Sequence, residues 1–530
     1  MGFYVNPPSD AFEAVLKTGT YIDKSGLLAY TNKVLESARM LTCSSRPRRF
    51  GKSFAAKMLA AYYSKGADSK KLFENLKIAG IKDAQFEEHL NRHDVLFFDI
   101  SSFISMADTI EETVRDLQND VIYELKETFP GCISENTKSL FKALMQVHAK
   151  TGSRFFIIID EWDALFREAK AHADLHQEYI RLLRSLFKSS QTSQVISGAY
   201  MTGILPIKKY GTQSALTDFQ EFTMLQPGIL AEFTGFTDAE AKGLCDEYGL
   251  SFETARAWYD GYFPNTKGHI FCPNSMIEAV LNRRFDCYWT KTETYESLKT
   301  YIDFNYDGIK DAVVSLLGGK RCRIDTGTFQ NDMTSLSGRD DIFTLLVHLG
   351  YLAYDIETGE VFIPNEEIRR EFIRAVREGK RPELAKAVRM SDRLLNAVLQ
   401  MDELNTARMI EEIHETEITP GNYNNEQALR YTVITAFLSS VDDYMRFEEL
   451  SGGKGYSDIL FMPKKNSAKP ALLIELKWNQ STDKALLQIK NRNYAHAVRK
   501  FEYTGELLLI GISYSTKTKK HACRIERVRV

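Results

Sequence analysis

The chain has 530 residues, 44% hydrophobic and 26% charged, with a formal net charge of −3. That length is too great for one core and predicts two to four globular domains. No apolar run reaches the ~18 residues of a membrane span. The segment Met1-Gly2-Phe3-Tyr4-Val5-Asn6-Pro7-Pro8 also lacks the basic-then-apolar layout of a signal peptide, so a cytoplasmic protein with no membrane partner is expected. Seven cysteines without a Cys-x-x-Cys pair and ten histidines without ligand spacing argue against a disulfide frame or a zinc site.

In chain order, the first region alternates strand-like and helix-like runs. Met40–Ser44 reads as a strand that enters a loop at Arg46, and Phe54–Tyr63 reads as a helix. Strands are predicted at His93–Ile100, Arg154–Asp160 and Gln194–Ile204, with a basic-faced helix over Leu175–Ser190. Their apolar runs are continuous, which predicts a parallel sheet covered on both faces. Thr237–Tyr248 reads as a helix with a capping box between Thr237 and Glu240. Asp341–Leu349, a hairpin around Glu357-Thr358-Gly359-Glu360, and Glu366–Arg377 could form a winged-helix-like module or a helical lid. The last region reads as helix (Asn425–Val441), three strands (Tyr444–Leu450, Tyr456–Met462, Ala471–Trp478), helix (Asp483–Val498) and two strands (Glu506–Ser515, Ala522–Val530). The expected domains are 1–230, 231–380, a helical connector 381–420, and 421–530.

Two short motifs carry chemistry. The first is Arg46-Pro47-Arg48-Arg49-Phe50-Gly51-Lys52-Ser53. In a phosphate-binding loop, backbone N–H groups wrap the phosphates, the Lys reaches the β and γ phosphates, and the Ser hydroxyl binds Mg²⁺. Gly51, Lys52 and Ser53 match this pattern, and Arg46, which stands where the first Gly is usual, is with them a candidate to contact the nucleotide. Ile157-Ile158-Ile159-Asp160-Glu161 supplies the complementary acidic strand end. There Asp160 would hold Mg²⁺, and Glu161 would orient or deprotonate the attacking water. Arg48 and Arg49 point to phosphates, to solvent, or to an adjacent protomer of a homo-oligomer. Thr202 could sense the γ-phosphate or cap the next turn.

The second motif is Asp458 followed by Glu475-Leu476-Lys477. Metal-dependent nucleases need carboxylates converging from adjacent strands, with a Lys near the attacking water. Glu475 and Lys477 are two positions apart on one strand and share a face. Glu426 could add a metal ligand, while Gln488 and Lys490 could bind the nucleic-acid phosphate or position the water. Ala471-Leu472-Leu473-Ile474 makes this a buried strand, where a charged pair is costly unless paired or metal-bound. Residues 464–530 hold 15 Lys/Arg against 5 Asp/Glu, which predicts a local anionic partner.

With these residues the chain resembles the AAA-ATPase-like proteins that carry a C-terminal PD-(D/E)xK nuclease-superfamily domain. Further markers are Tyr21-Ile22-Asp23-Lys24, Thr202-Gly203-Ile204, Trp258-Tyr259-Asp260-Gly261-Tyr262, Pro273-Asn274-Ser275 and Gln488-Ile489-Lys490. The Arg46–Ser53 loop is similar to that family's version. One departure is Gly455-Tyr456-Ser457-Asp458, which lacks the Arg that usually precedes the first acidic ligand. The resemblance implies a P-loop NTPase parallel sheet, a helical or winged-helix-like middle and a restriction-endonuclease-like α/β domain. It also implies ATP binding.

Together these features predict an ATPase coupled to Mg²⁺-dependent cleavage of nucleic acid, DNA ahead of RNA, in a defence or mobile-element setting. The alternative is an ATPase switch that binds nucleic acid or protein and whose nuclease-like domain is inactive.

Overall fold

A computed structural model describes residues 2–207, 209–210, 213–214, 216–262, 269–289, 295–304, 308–331, 336–379, 382–417, 425–448, 459–464, 467–491, 498 and 503–530. The chain forms two compact units that interleave in sequence. The first comprises Met1–Phe252, Gly261–Arg283 and Ile324–Gly359; the second comprises Glu253–Asp260, Arg284–Arg323 and Glu360–Val530. The break at Gly359 falls between the two strands of the predicted hairpin, Ala353–Asp355 and Glu360–Phe362.

The first unit is built on five strands: β1 (Leu41–Ser45), β2 (Asp94–Asp99), β3 (Phe155–Asp160), β4 (Ile196–Gly203) and β5 (Gln220–Phe222). All pairings are parallel, in the order β2-β3-β4-β1-β5. Alternate residues of β3 enter opposite cores: Phe155, Ile157 and Ile159 face one, Phe156 and Ile158 the other. This is why the strand reads as unbroken apolar sequence. Helix α1 (Lys52–Tyr63) follows β1 through the phosphate-loop segment, and α2 (Ala173–Phe187) lies in the connection from β3 to β4. The predicted capping box is present: the Thr237 hydroxyl accepts from the Glu240 N–H, and the Glu240 carboxylate accepts from the Thr237 N–H.

The second unit contains α3 (Ile309–Leu317), β6 (Cys322–Arg323), β7 (Glu360–Phe362), α4 (Glu366–Glu378), α5 (Pro382–Leu399) and α6 (Glu403–Glu417). These lead to α7 (Glu426–Ala436), β8 (Tyr444–Glu448), β9 (Ile459–Pro463), β10 (Ala471–Trp478), α8 (Thr482–Asn491), β11 (Glu506–Ser515) and β12 (Lys520–Arg529). The sheet order is β8-β9-β10-β11-β12. Only the β10–β11 pairing is parallel; β8–β9, β9–β10 and β11–β12 are antiparallel. Leu472, Ile474 and Leu476 of β10 join the core shared with α5, α6 and α7, while Ala471 and Leu473 join the core shared with α8. Glu475 and Lys477 continue the second row, on the α8 side. Gly511, opposite Glu475 in the register, lets α8 close on the sheet: a Cβ there would lie 2.8 Å from the Thr482 carbonyl.

Candidate functional site

The phosphate-loop site is assembled by topology. Strand β4 lies between β1 and β3, so Thr202 sits between the loop and the acidic strand end. Gly51 adopts φ +86° at the start of α1, a left-handed conformation that suits glycine. Lys52 is buried, and its Nζ donates to the Pro47 carbonyl at 2.8 Å. Burial pushes its ammonium down to about 8, against the pull of Asp160, Glu161 and Asp163. Asp160 is buried as well. Burial raises its carboxyl, while hydroxyls from Thr202 and Ser53 and the charge of Lys52 oppose that rise. The Thr202 hydroxyl donates directly to Asp160 Oδ1. Lys52, Ser53, Asp160 and Thr202 therefore meet in one place. The hydroxyl and carboxylate oxygens of Ser53 and Asp160 suit a hard divalent cation such as Mg²⁺.

Glu161 occupies a left-handed backbone position, φ +49°. Its carboxylate accepts from Arg167 Nη2 at 2.7 Å and from the Ser101 hydroxyl at 2.8 Å. Burial favours the neutral acid, but Arg167, Ser101 and Lys52 outweigh it and hold the carboxyl below its ordinary value. Arg167 also reaches Asp163 Oδ2 from Nε at 3.1 Å. Asp163 in turn accepts from the Ile204 and Leu205 N–H groups. Asp163 and Arg167 were not among the sequence-derived candidates. Their signal is the i,i+4 Asp–Arg spacing directly after the acidic strand end.

Arg46 is placed differently from the expectation. Its guanidinium is fully buried and donates to Thr234 Oγ1 (2.9 Å), the Ser45 carbonyl (2.9 Å) and the Phe222 carbonyl (2.7 Å). Those oxygens belong to the fold, so Arg46 braces the loop from behind and does not face a phosphate. Arg48 and Arg49 are exposed on the same loop.

In the second unit, Lys477 Nζ donates to Glu475 Oε1 at 2.6 Å, and both side chains are buried. Glu426, in the first turn of α7, is half-buried. Burial raises its carboxyl, Lys477 lowers it and Glu475 raises it further. The three groups thus share one electrostatic field. Two carboxylates so placed suit Mg²⁺ or Mn²⁺ in their donor chemistry. Asp458 lies outside the described residues, and among those residues no group of three or more His, Cys, Asp or Glu is arranged to hold a metal. Gln488 is half-buried on α8. Lys490 is directed elsewhere: its ammonium pairs with Glu526 of β12 at 2.6 Å, because Ala485, Leu486 and Ile489 take the sheet-facing side of the helix.

A phosphate loop facing an Asp-Glu strand end across an inserted strand defines a P-loop NTPase of the AAA-like type. A mixed sheet with a buried Glu-x-Lys on its central strand defines the nuclease-like partner. Residues 10–212 match the family model described as Predicted AAA-ATPase, AAA-ATPase-like, and residues 424–523 match that of the PD-(D/E)XK nuclease superfamily. The chain thus carries an AAA-ATPase-like domain followed by a PD-(D/E)XK nuclease-superfamily domain. A protein of Azotobacter chroococcum mcd 1, named "Uncharacterized protein in vnfD 5'region", is 26% identical over 282 residues. The alignment covers 52% of this chain and 51% of that one, about half the length of the curated relative. The Aeropyrum pernix ORC2 protein (ADPNP-ADP complexes) aligns over 66% of this chain and 93% of that one, at 10% identity and a TM-score of 0.28. The Aeropyrum pernix ORC1 protein in complex with DNA aligns over 69% and 95%, at 11% identity and a TM-score of 0.23. Superpositions this loose carry no argument about site or partner. No helix among the described residues is long and apolar enough to cross a membrane.

Proposed function

We propose that the protein binds and hydrolyses ATP with Mg²⁺, and that this activity governs Mg²⁺-dependent phosphodiester cleavage of nucleic acid, DNA ahead of RNA. The observation that carries the reading is that each domain brings its lysine and its acid into one buried site: Lys52 within the field of Asp160, and Lys477 on Glu475. In the first site, Lys52 would exchange the Pro47 carbonyl for a phosphate oxygen, and Ser53 and Asp160 would hold the metal. Glu161, released from Arg167, takes the proton of the attacking water. A bound divalent cation supplies neutralisation of phosphate charge. In the second site, Glu475 and Glu426, with Asp458 as the sequence suggests, would hold the metal, and Lys477 would orient the water. Joining an ATP switch to a nuclease suits defence or mobile-element biology.

The test measures ATP turnover and plasmid cleavage side by side, with Mg²⁺ or Mn²⁺. Lys52→Ala should abolish ATP turnover, and Glu475→Ala should abolish cleavage while sparing turnover. A wild-type protein that cuts neither DNA nor RNA under any of these conditions would overturn the nuclease half. A second reading then takes its place: an ATPase switch with an inert nuclease-like domain.

A further inference from the structure

Strands β11 and β12 are joined by a hairpin, Ser515-Thr516-Lys517-Thr518-Lys519-Lys520, that carries three lysines in four positions. All three are exposed, and among the described residues none of them forms an ion pair. Several neighbouring cations are already tied to acids. Lys469 pairs with Asp443, Lys490 with Glu526 at 2.6 Å, Arg524 with Asp483 at 3.6 Å and Arg527 with Glu506 at 3.6 Å. Part of the basic excess of residues 464–530 is therefore neutralised locally, and the part on this hairpin is not.

The hairpin is pinned beside the Glu475–Lys477 centre. Asn479, two positions after Lys477, accepts from the Thr516 N–H and the Thr516 hydroxyl at 2.8 Å each, and its own N–H donates to the Tyr514 carbonyl at 2.8 Å. Within the turn, the Lys519 N–H donates to the Ser515 carbonyl at 2.8 Å. Lys519 sits at φ +56°, a left-handed position that glycine would occupy more readily. The register fixes the face. Lys477 lies opposite Ser513, and Ser515 opposite Lys520. Partners across a sheet share a face, as do alternate residues along a strand, so Lys520 stands on the face of Glu475 and Lys477. It is one two-residue step and two strands away, about 12 Å between backbones. Glu411 approaches the base of the hairpin from the α6 side of the sheet, where it accepts from the His521 N–H at 3.4 Å.

We infer that this lysine hairpin holds the phosphodiester backbone of the nucleic acid presented to the Glu475–Lys477 centre. The inference rests on the reading of that domain as one that acts on nucleic acid. One strand of a duplex carries a charge every ~3.4 Å of helix axis, so a backbone that reaches the centre meets the hairpin about three to four charges further along. A lysine supplies a compact point charge that attracts phosphate without reading bases. The competing role is protective: β12 is the edge of its sheet, and lysines on an edge keep a strand from pairing with other chains.

The experiment is fluorescence anisotropy of labelled 20-mer oligonucleotides, single-stranded and duplex, titrated with the full-length protein in Ca²⁺ across a salt series. The hairpin variant is Lys517→Gln/Lys519→Gln/Lys520→Gln. The control, Lys71→Gln/Lys82→Gln/Lys142→Gln, removes the same charge from exposed lysines of the first unit. The hairpin variant should bind one or both oligonucleotides at least about tenfold more weakly at 100 mM salt. It should also flatten the slope of log K against log salt, by about 2 on a single strand or about 3 on a duplex, while the control keeps wild-type values. If the folded hairpin variant keeps wild-type affinity and slope, or if the control weakens binding as much, the inference falls. It falls equally if the wild-type protein binds no oligonucleotide. Unchanged affinity with new self-association on size exclusion would assign the lysines to edge protection instead. Cleavage with unchanged binding in the hairpin variant sinks the hairpin and spares the nuclease. Binding lost in the hairpin variant of a protein that never cleaves does the reverse.

Discussion

The ammonium of Lys52 is bonded to the carbonyl of Pro47, five residues earlier in its own loop, at 2.8 Å. The lysine is thus buried inside the cradle that its charge should serve, and an internal carbonyl stands in for phosphate. Burial makes that charge costly, which is why Lys52 is lowered to about 8.

The first prediction follows from that depressed value. Phosphate favours the charged form, so ATP binding raises the Lys52 pKa and takes up protons. At pH 8 the uptake should be about half a proton, and near zero at pH 6.5. Above about pH 8, ATP affinity should fall towards tenfold per pH unit as the free lysine neutralises. Titration calorimetry in buffers of different ionisation enthalpy measures the uptake, and Lys52→Met should remove it.

Arg167 ties Glu161 to Asp163, and both the arginine and Asp163 are buried. Breaking such a cluster from one side leaves a buried carboxylate uncompensated, at a cost of about 3–5 kcal/mol. Arg167→Ala should therefore lower stability by that order in urea unfolding. Arg167→Lys should recover part of it, since lysine keeps the charge and loses the fork. A variant as stable as wild type would show that the cluster does not hold the site together.

Lys477 and Glu475 make the corresponding test in the other domain. Lys477→Met alone should destabilise by about 3–5 kcal/mol, because it strands Glu475 in the sheet. The double change Glu475→Gln/Lys477→Met should restore most of that stability, yet restore no cleavage. Divalent metal should raise the melting temperature of the wild type more than that of the double variant.

Gly511 tests whether α8 must lie against β11. In Gly511→Ala the new methyl meets the Thr482 carbonyl at 2.8 Å, a backbone atom that cannot swing away. A loss of about 1–3 kcal/mol is expected from such overpacking. Thermal unfolding followed on the C-terminal domain would reveal it, and ATP turnover should be unchanged.

The sequence by itself determined what depends on neighbours along the chain. Continuous apolar runs located β3, β10 and β11 to within a residue, and the Thr237–Glu240 capping box was legible from its spacing. Gly51-Lys52-Ser53, Asp160-Glu161 and Glu475-x-Lys477 were readable because each motif sits on one turn or one strand end. Tertiary structure alone decided the rest. Arg46 looked like a phosphate ligand until its partner Thr234, 188 residues away, claimed its Nε. Lys490 looked like a phosphate contact until a strand 36 residues later brought Glu526 beside it. The interleaving of the two compact units leaves no local trace. A side chain's partners are chosen by which segments pack together, and a cation's role depends on whether those partners neutralise it or leave its charge for a ligand.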